Sequence, residues 1–152
     1  MRPGIKRILK ELIIILTAYI AFRSLFYIGY VPTASMEPTL HTGSFVLAAK
    51  LYPEIQTGDV IVFERDGVLL VKRVAYGSGE EIPVRHTADK DGTRMKMPSD
   101  GLNADEYLVV PEGCVYVLGD NQDNSYDSRY WDNPYVSMED IRGLVILPRV
   151  NE

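Results

Sequence analysis

The sequence predicts a mainly β protein in which an N-terminal transmembrane helix is followed by an antiparallel β domain. Three observations support this fold class: a long apolar segment near the N-terminus, short runs of β-branched and aromatic residues after it, and Gly, Asp and Pro turn signals between those runs. With 46% apolar residues, a chain of 152 residues suffices for one packed domain and a short appendage. We therefore expect residues 1–31 to form the anchor and residues 32–152 the domain.

The apolar N-terminal segment has the length of a membrane span. Leu12 to Val31 contains one charge, Arg23, and as a helix it would measure about 30 Å, the thickness of a bilayer core. A cleavable signal peptide is the alternative, but large apolar residues follow Arg23 where a small-residue cleavage site would be needed. We expect an uncleaved anchor. Its N-terminus should be cytoplasmic and the domain extracytoplasmic, because four basic residues precede the span: Arg2, Lys6, Arg7 and Lys10.

The charge distribution argues against a nucleic-acid partner. The net charge is −5, and the part of the chain after Val31 carries 11 basic and 20 acidic residues. Binding to phosphates requires a basic surface, which this composition does not provide. The single cysteine, Cys114, cannot form an intrachain disulfide, so it does not indicate a redox compartment.

Alternating and apolar runs after the anchor predict strands. Ser44 to Leu51 is one run, and Val60 to Phe63 reads as a buried strand after the turn signal Thr57-Gly58-Asp59. Asp66-Gly67 then predicts a tight hairpin turn into the run from Val68 to Val74.

The second half of the chain has weaker patterns. Residues 77–106 are rich in Gly, Asp, Lys and Pro, so we expect exposed loops with at most a small hairpin. Tyr107 to Val110 and Cys114 to Leu118 flank a Pro-Glu-Gly turn, which predicts a strand pair. A short helical turn is expected within Pro134 to Asp140, and Gly143 to Pro148 should close the sheet.

Ser35 is a candidate nucleophile because its loop is stiff. Pro32 and Pro38 fix the backbone on either side of this small hydroxyl residue. A stiff loop holds a reacting atom in place and so removes part of the entropic barrier. The alternative is a tight turn that links the anchor to the first strand, and residues elsewhere have to decide between the two.

Lys72 is the anomaly of the predicted hairpin. It shares a strand face with Val68, Leu70 and Val74, a face that the alternation predicts to be buried. An edge-strand lysine that discourages aggregation is the structural alternative. A buried lysine, however, has a depressed pKa, and an amine that is neutral near pH 7 is able to act as a general base.

Residues 119–131 form a third cluster, dense in Asp, Asn and Ser. The cluster lacks the terminal glutamate of a calcium-binding EF-hand loop, so it does not indicate a metal site. A hydrogen-bonded loop fits better, with Asp127 paired to Arg129 and the Ser125 hydroxyl turned inward to orient another group.

Four segments, taken in order, resemble the conserved boxes of the type I signal peptidases, membrane-anchored serine proteases that use a Ser–Lys dyad. They are Ser35 to Leu40, Gly58 to Phe63, Lys72 to Val74, and Gly119 to Arg129. The resemblance covers nearly the whole chain, and four ordered boxes are far more specific than one.

The resemblance implies a role for each matched residue. Ser35 would be the nucleophile, Lys72 the general base, and Ser125 a hydrogen-bonding partner that places the lysine amine, with Asp127 and Arg129 as a supporting salt bridge. Thr33 and the Ser35 N–H would form the oxyanion hole, in keeping with the need for donors where negative charge develops. Shallow pockets for small side chains would be lined by Val31, Pro32, Met36 and Val71.

The resemblance also implies the fold and the activity. The fold would be an antiparallel coiled-β catalytic domain, and the chain would be a membrane-bound serine endopeptidase that removes signal peptides from exported preproteins at Ala-x-Ala-like sites, without cofactor or metal. Its partners would be signal peptides and the lipid bilayer, with the secretion translocon as a further candidate. Gln122, Gln56-Thr57, Tyr76 and Ser78 depart from the family pattern outside the dyad.

Two rival functions are consistent with parts of the sequence. His41 lies six residues from Ser35, so a Ser-His-Asp hydrolase is conceivable, although such a triad is recognised by geometry and not by sequence position. The other rival is an inactive membrane-tethered β domain that binds signal peptides. A binding protein would have no need for Ser35, Lys72, Ser125 and Thr33 together.

Overall fold

The computed structural model describes residues 3–148. One long helix, α1 (Pro3–Leu25), precedes ten strands. The strands are β1 (Phe26–Tyr30), β2 (Phe45–Ala49), β3 (Val60–Arg65), β4 (Val68–Tyr76), β5 (Glu81–Ala88), β6 (Arg94–Pro98), β7 (Glu106–Val109), β8 (Cys114–Leu118), β9 (Tyr135–Ser137) and β10 (Ile141–Leu147). Three 3₁₀ turns cover Ala34–Met36, Gln122–Asn124 and Met138–Asp140. The predicted mainly β fold is confirmed.

Two antiparallel sheets make up the domain. The larger sheet has seven strands in the order β1-β2-β10-β3-β4-β8-β9, and the smaller has three in the order β6-β5-β7. β10 lies between β2 and β3, so the last strand completes the middle of the sheet. The expected short helical turn is the 3₁₀ turn Met138–Asp140 directly before it.

The predicted apolar span ends earlier than expected. α1 stops at Leu25, and Phe26–Tyr30 pairs with β2 as an antiparallel strand, so the prediction of a helix through Val31 is wrong over its last part. The reason is tertiary pairing, because the aromatic and β-branched residues of this stretch bond to a partner strand that local pattern does not reveal. Within residues 3–148, the structure contains no helix whose length and hydropathy meet the requirements of a membrane span.

The hairpin of β3 and β4 is confirmed. Val60 pairs with Arg73 at one end of the hairpin and Arg65 with Val68 at the other. Asp66 and Gly67 both have positive φ, 52° and 76°, as a two-residue turn between twisted strands requires.

Residues 77–106 form the small hairpin that the prediction allowed, β5 with β6, but the expectation of exposed loops is wrong in part because this hairpin belongs to a three-stranded sheet. They contain β5, β6 and the first residue of β7, and Ile82 and Val84 of β5 are fully buried. Pro83 lies between these two apolar positions, and because proline is uncommon inside strands the alternation did not indicate one. The predicted pairing of Tyr107–Val110 with Cys114–Leu118 is also wrong, because β7 pairs with β5 while β8 pairs with β4 and β9.

Three clusters of buried apolar residues hold the domain together. The first packs beneath the Ser35 loop and includes Val31, Met36 and Leu40. The second fills the centre of the large sheet around Phe63 and Trp131, and the third joins the two sheets through Ile82, Val84, Val110 and Tyr116. The Ser35 loop and β4 therefore both rest on well-packed core, which is the condition for holding side chains in a fixed geometry.

Candidate active site

Ser35 and Lys72 are in direct contact. Lys72 Nζ donates a hydrogen bond of 2.6 Å to Ser35 Oγ, although 37 residues separate the two in sequence. Both side chains are buried, with 7% of Ser35 and 4% of Lys72 exposed. Two of the candidates from the sequence thus lie together in a desolvated pair.

The position of Lys72 in the sheet explains its burial. β4 lies between β3 and β8, so Lys72 is not on an edge strand and the aggregation-protection alternative does not apply. Its cross-strand neighbour is Ile61, which is fully buried. Burial lowers the pKa of Lys72 to about 8, against the opposing influence of the Asp127 carboxylate, because a charged amine is poorly solvated at this site.

The Ser35 loop presents the hydroxyl on a short 3₁₀ turn. Ser35 is the middle residue of the turn Ala34–Met36, and amide groups in the first turn of a helix have no acceptor within it. Thr33 lies at the N-cap, and its Oγ1 donates to Ser35 Oγ at 3.3 Å. Thr33 is thus beside Ser35, the candidate nucleophile, where the family resemblance places a hydroxyl donor.

The Asp127–Arg129 salt bridge predicted from the sequence is present and buried. Arg129 Nε donates to Asp127 Oδ1 at 2.8 Å and Arg129 Nη2 to Asp127 Oδ2 at 2.9 Å. Asp127 is 0% exposed and Arg129 is 3% exposed. Such a bidentate pair fixes the carboxylate in both distance and plane. Asp127 also accepts from Ser125 Oγ at 2.7 Å and from the Gly119 amide at 3.0 Å.

The predicted hydrogen bond between Ser125 and the Lys72 amine is not seen among residues 3–148. In this structure the Lys72 amine donates to Ser35, and the Ser125 hydroxyl donates to Asp127. A hydroxyl oxygen that donates its proton still has lone pairs to accept with. The role of Ser125 in orienting the amine stays a prediction.

Gly119 is a residue of this site that the sequence reading did not single out. A Cβ atom at Gly119 would overlap Ser125 Oγ and would lie 2.5 Å from the Ser35 carbonyl oxygen. The Asn121 amide donates to the same carbonyl at 3.0 Å. The stretch from Gly119 to Asn121 thus joins the two loops that carry Ser35 and Ser125. Only glycine, which has no Cβ atom, fits between them.

Arg73 is a second residue that was missed. Its guanidinium donates to both oxygens of Asp120, at 2.8 and 2.7 Å, and to the Gly58 carbonyl at 2.6 Å. A fourth hydrogen bond, of 3.4 Å, reaches Thr39 Oγ1 in the Ser35 loop. The signal was the pair Lys72-Arg73 in an apolar strand, because neighbouring strand residues point to opposite faces and each long cation then needs its own partners.

The predicted pocket residues differ in exposure. Val31 and Met36 are buried, at 3% and 1% exposure, and pack in the first core cluster, against which Val71 also packs. Pro32 is exposed. Core packing of this kind resists displacement, so Val31 and Met36 would form a fixed floor beneath any residue bound next to Ser35.

The remaining reactive side chains have other surroundings. His41 is exposed, and its backbone carbonyl accepts from Ser44. Cys114 is the first residue of β8 and pairs with Ser137 of β9. The geometry therefore supports proton transfer between a serine hydroxyl and a lysine amine, which is the chemistry of a serine nucleophile activated by an adjacent base.

Comparison with known proteins shows which family this chain matches. The family model described as "Signal peptidase, peptidase S26" matches residues 5–149. Signal peptidase I of Pseudomonas aeruginosa is 27% identical to this chain and covers 76% of it, and signal peptidase I of Aquifex aeolicus is 28% identical and covers 88%. A probable signal peptidase I of Synechocystis is 32% identical over 67% of the chain.

The chain is shorter than these relatives. The matched region spans 58% of the Pseudomonas aeruginosa protein, 61% of the Synechocystis protein and 79% of the Aquifex aeolicus protein. The family match nevertheless includes both members of the Ser35–Lys72 pair, every strand of the two sheets, and the loop that carries Asp127 and Arg129. This chain belongs to the signal peptidase family, peptidase S26.

Proposed function

We propose that this protein is a serine endopeptidase that removes N-terminal signal peptides from exported preproteins with a Ser35–Lys72 dyad. The observation that carries the proposal is the 2.6 Å contact between Lys72 Nζ and Ser35 Oγ, made by two buried side chains. A pKa of about 8 leaves a useful fraction of this amine neutral near physiological pH. Structural needs alone do not account for a buried lysine on a serine hydroxyl, because burying the charge costs stability.

The reaction would begin with proton transfer along this contact. The neutral Lys72 amine accepts the Ser35 proton as Oγ attacks the scissile carbonyl, and the Ser35 N–H and Thr33 Oγ1 donate to the developing oxyanion. The Lys72 ammonium then returns a proton to the leaving amine. A water molecule, deprotonated by the same lysine, hydrolyses the acyl-enzyme and releases the signal peptide.

The supporting network places the Asp127 carboxylate near the amine and compensates its charge with Arg129. Asp127 holds Ser125, and Arg129 occupies the Asp127 carboxylate with two hydrogen bonds, so that negative charge near Lys72 is compensated. The Arg129 charge itself opposes protonation of Lys72 and lowers its pKa further. The arrangement favours a neutral base.

The proposed specificity is for small side chains, as in Ala-x-Ala sites. Val31, four residues before Ser35, and Met36, directly after it, are packed in the core, and Val71 precedes Lys72 in β4. Larger substrate residues would have to displace packed core atoms, which costs about 1–3 kcal/mol for each overpacked position.

We also propose that α1 inserts into a lipid bilayer, with the N-terminus cytoplasmic and the β domain extracytoplasmic. The side chains of α1 from Gly4 to Leu25 are exposed, and residues 12–22 carry no charged group. A further exposed apolar pair, Tyr30 and Phe45, lies on the strands next to the helix, with ring centroids 5.5 Å apart. An apolar helix without a packing partner is stable in lipid but not in water. Lys6, Arg7 and Lys10 would remain on the cytoplasmic side.

The activity is tested with the detergent-solubilised full-length chain. We expect a preprotein with an Ala-x-Ala site to be cut once, after the second alanine, as shown by mass spectrometry of both products. Ser35→Ala should leave the preprotein intact while its circular dichroism spectrum is unchanged. Cleavage by the Ser35→Ala protein at the same rate would disprove the proposal.

Membrane insertion is tested separately on the chain expressed in cells. The protein should stay in the pellet after alkaline carbonate extraction, and protease added outside spheroplasts should digest the β domain. Release into the supernatant at high pH would refute insertion. It would leave the peptidase proposal untouched.

A further inference from the structure

Met97 reaches the active-site loop from the smaller sheet. It lies in β6, and its Sδ accepts a hydrogen bond from Arg129 Nη1 at 3.7 Å. The neighbouring Lys96 amide donates to the Arg129 carbonyl at 2.9 Å, so β6 contacts Arg129 through both a side chain and the backbone. Arg129 in turn holds Asp127, which accepts from Ser125.

The three nitrogen atoms of the Arg129 guanidinium have hydrogen-bond acceptors of unequal strength. Nε and Nη2 donate to Asp127 at 2.8 and 2.9 Å, and Nη2 donates also to the Gln122 carbonyl at 3.0 Å. Among the described residues, the acceptor for Nη1 is the Met97 thioether, and thioether sulfur is a weak acceptor. A charged donor on a residue that is 3% exposed is thus left with the weakest acceptor of the group.

The Met97 thioether is also open to small reagents. It lines a cavity of about 370 Å³ between β6 and the loop before Arg129, and the same cavity is lined by Met95, Gln122, Asp123, Arg129 and Tyr130. Met97 itself is half-buried. A cavity of this size admits water-sized molecules, hydrogen peroxide among them.

We propose that Met97 is an oxidation site at which the sulfoxide becomes a strong acceptor for Arg129 Nη1. Hydrogen peroxide, a two-electron oxidant, transfers one oxygen atom to Sδ. An S–O bond forms, the O–O bond of the peroxide breaks, the sulfur is oxidised and the peroxide is reduced to water. The product is the sulfoxide on the methionine oxidation ladder, and enzymatic reduction can reverse it.

The geometry accommodates the new oxygen without moving the sulfur. In the sulfoxide, a charge-assisted N–H···O bond of about 2.8 Å would meet the S–O bond at the oxygen, at an ordinary hydrogen-bond angle. The two together span roughly the distance that now separates Nη1 from Sδ. The cavity beside Met97 leaves room for the oxygen. Nε and Nη2 keep their bonds to Asp127, so oxidation replaces the weak hydrogen bond from Nη1 to the sulfur by a stronger one to the new oxygen and removes no other bond of Arg129.

The test is hydrogen–deuterium exchange of the full-length chain before and after mild treatment with hydrogen peroxide. Peptide mapping should find Met97 oxidised while Met36, which is 1% exposed in the core, is not. Amide exchange across residues 122–130 should slow by about fivefold, the factor that one ordinary net hydrogen bond provides. Met97→Leu, which keeps the size but lacks the sulfur, should show no slowing after peroxide.

Two further variants remove the dependence on the oxidant. Met97→Gln places a carbonyl oxygen within similar reach, so it should slow exchange at residues 122–130 without peroxide, whereas the matched control Met95→Gln should not. Faster exchange in the oxidised protein, an unreactive Met97, or equal slowing in the Met97→Leu protein would each overturn the proposal. The readout does not require peptidase activity, so the proposed function and this inference can fail independently.

Discussion

Gly119 and Ser125 are so close that no side chain fits between them. The position where a Cβ of residue 119 would lie overlaps Ser125 Oγ, and it is 2.5 Å from Ser125 Cβ and from the Ser35 carbonyl oxygen. The backbone of Gly119 also donates to Asp127 at 3.0 Å, which prevents it from retreating. One glycine thus determines the spacing between the loop of the proposed nucleophile and the loop of the supporting network.

Gly119→Ala should therefore impair the site more than the fold. We expect a loss of about 1–3 kcal/mol in the free energy of unfolding, as for other overpacked positions, and a fall in kcat because Ser125 or the Ser35 loop has to move. Urea denaturation measures the change in the free energy of unfolding, and cleavage of a peptide with an Ala-x-Ala site measures the change in kcat.

Gly77→Ala is the matched control for this substitution. A Cβ at Gly77 would meet its nearest atoms, in Glu80 and Thr57, at the ordinary distances of 3.8 and 3.9 Å. Its kcat and stability should stay close to those of the unmodified protein. Equal losses at both positions would show that the crowding around Gly119 is not what matters.

Asp127→Asn should destabilise the protein strongly. Removing the carboxylate charge leaves Arg129 buried without its counter-ion, which costs about 3–5 kcal/mol. The exposed pair of Arg142 and Glu64, with a 3.0 Å contact and side chains 45% and 43% exposed, is the internal comparison. Glu64→Gln should cost at most about 1 kcal/mol, because solvent screens this pair. Denaturation curves that place the two variants at the same midpoint would contradict the argument.

The sequence singled out the two residues of the proposed dyad but not the scaffold that positions them. Ser35 and Lys72 stood out because a hydroxyl between two prolines and a lysine on an apolar strand face are local anomalies. The packing of Gly119 against Ser125 depends on two loops that meet only in the folded chain. For the same reason β1 was assigned to the helix, since its partner β2 lies about 20 residues further on and the aromatic stretch Phe26–Tyr30 is apolar enough for either structure.

Thr33→Val should reduce kcat with little change in KM. Thr33 Oγ1 lies 3.3 Å from Ser35 Oγ, and loss of one donor from an oxyanion hole typically lowers kcat by about 10²–10³-fold. Valine has the same shape as threonine, so packing around the exposed position 33 is preserved. Thr33→Ser keeps the hydroxyl and should retain most of the activity. If the serine variant were as slow as the valine variant, the donor role would have to be abandoned.

Lys72 should make the protein more stable as the pH rises. Its pKa is about 8 in the folded state, whereas a free lysine titrates at about 10.4, so between these values the unfolded chain binds more protons than the folded one. Stability rises with pH wherever the unfolded state binds more protons, and the cost of the buried charge is present below about pH 8. From pH 8 to pH 10 the gain should be about 2 kcal/mol.

The measurement for this stability effect is the difference between the unmodified protein and Lys72→Met. Urea denaturation at pH 8 and pH 10 gives the free energy of unfolding of each, and the subtraction removes groups that titrate in both. A difference independent of pH would mean that the amine is solvated in the folded state.

The same depressed pKa should govern the rate. Only a neutral Lys72 amine can accept the Ser35 proton, so kcat/KM for a fixed peptide should rise about tenfold per pH unit at acidic pH and level off above about pH 8. Lys72→Arg should be inactive at every pH, because a guanidinium does not lose its proton in proteins.

Asp127→Asn tests the electrostatic origin of the profile. The Asp127 charge raises the pKa of Lys72, so any activity that remains in this variant should show its inflection at lower pH. A rate that stays flat down to about pH 5 would exclude Lys72 as the base, since at that pH an amine with a pKa of about 8 is almost entirely protonated.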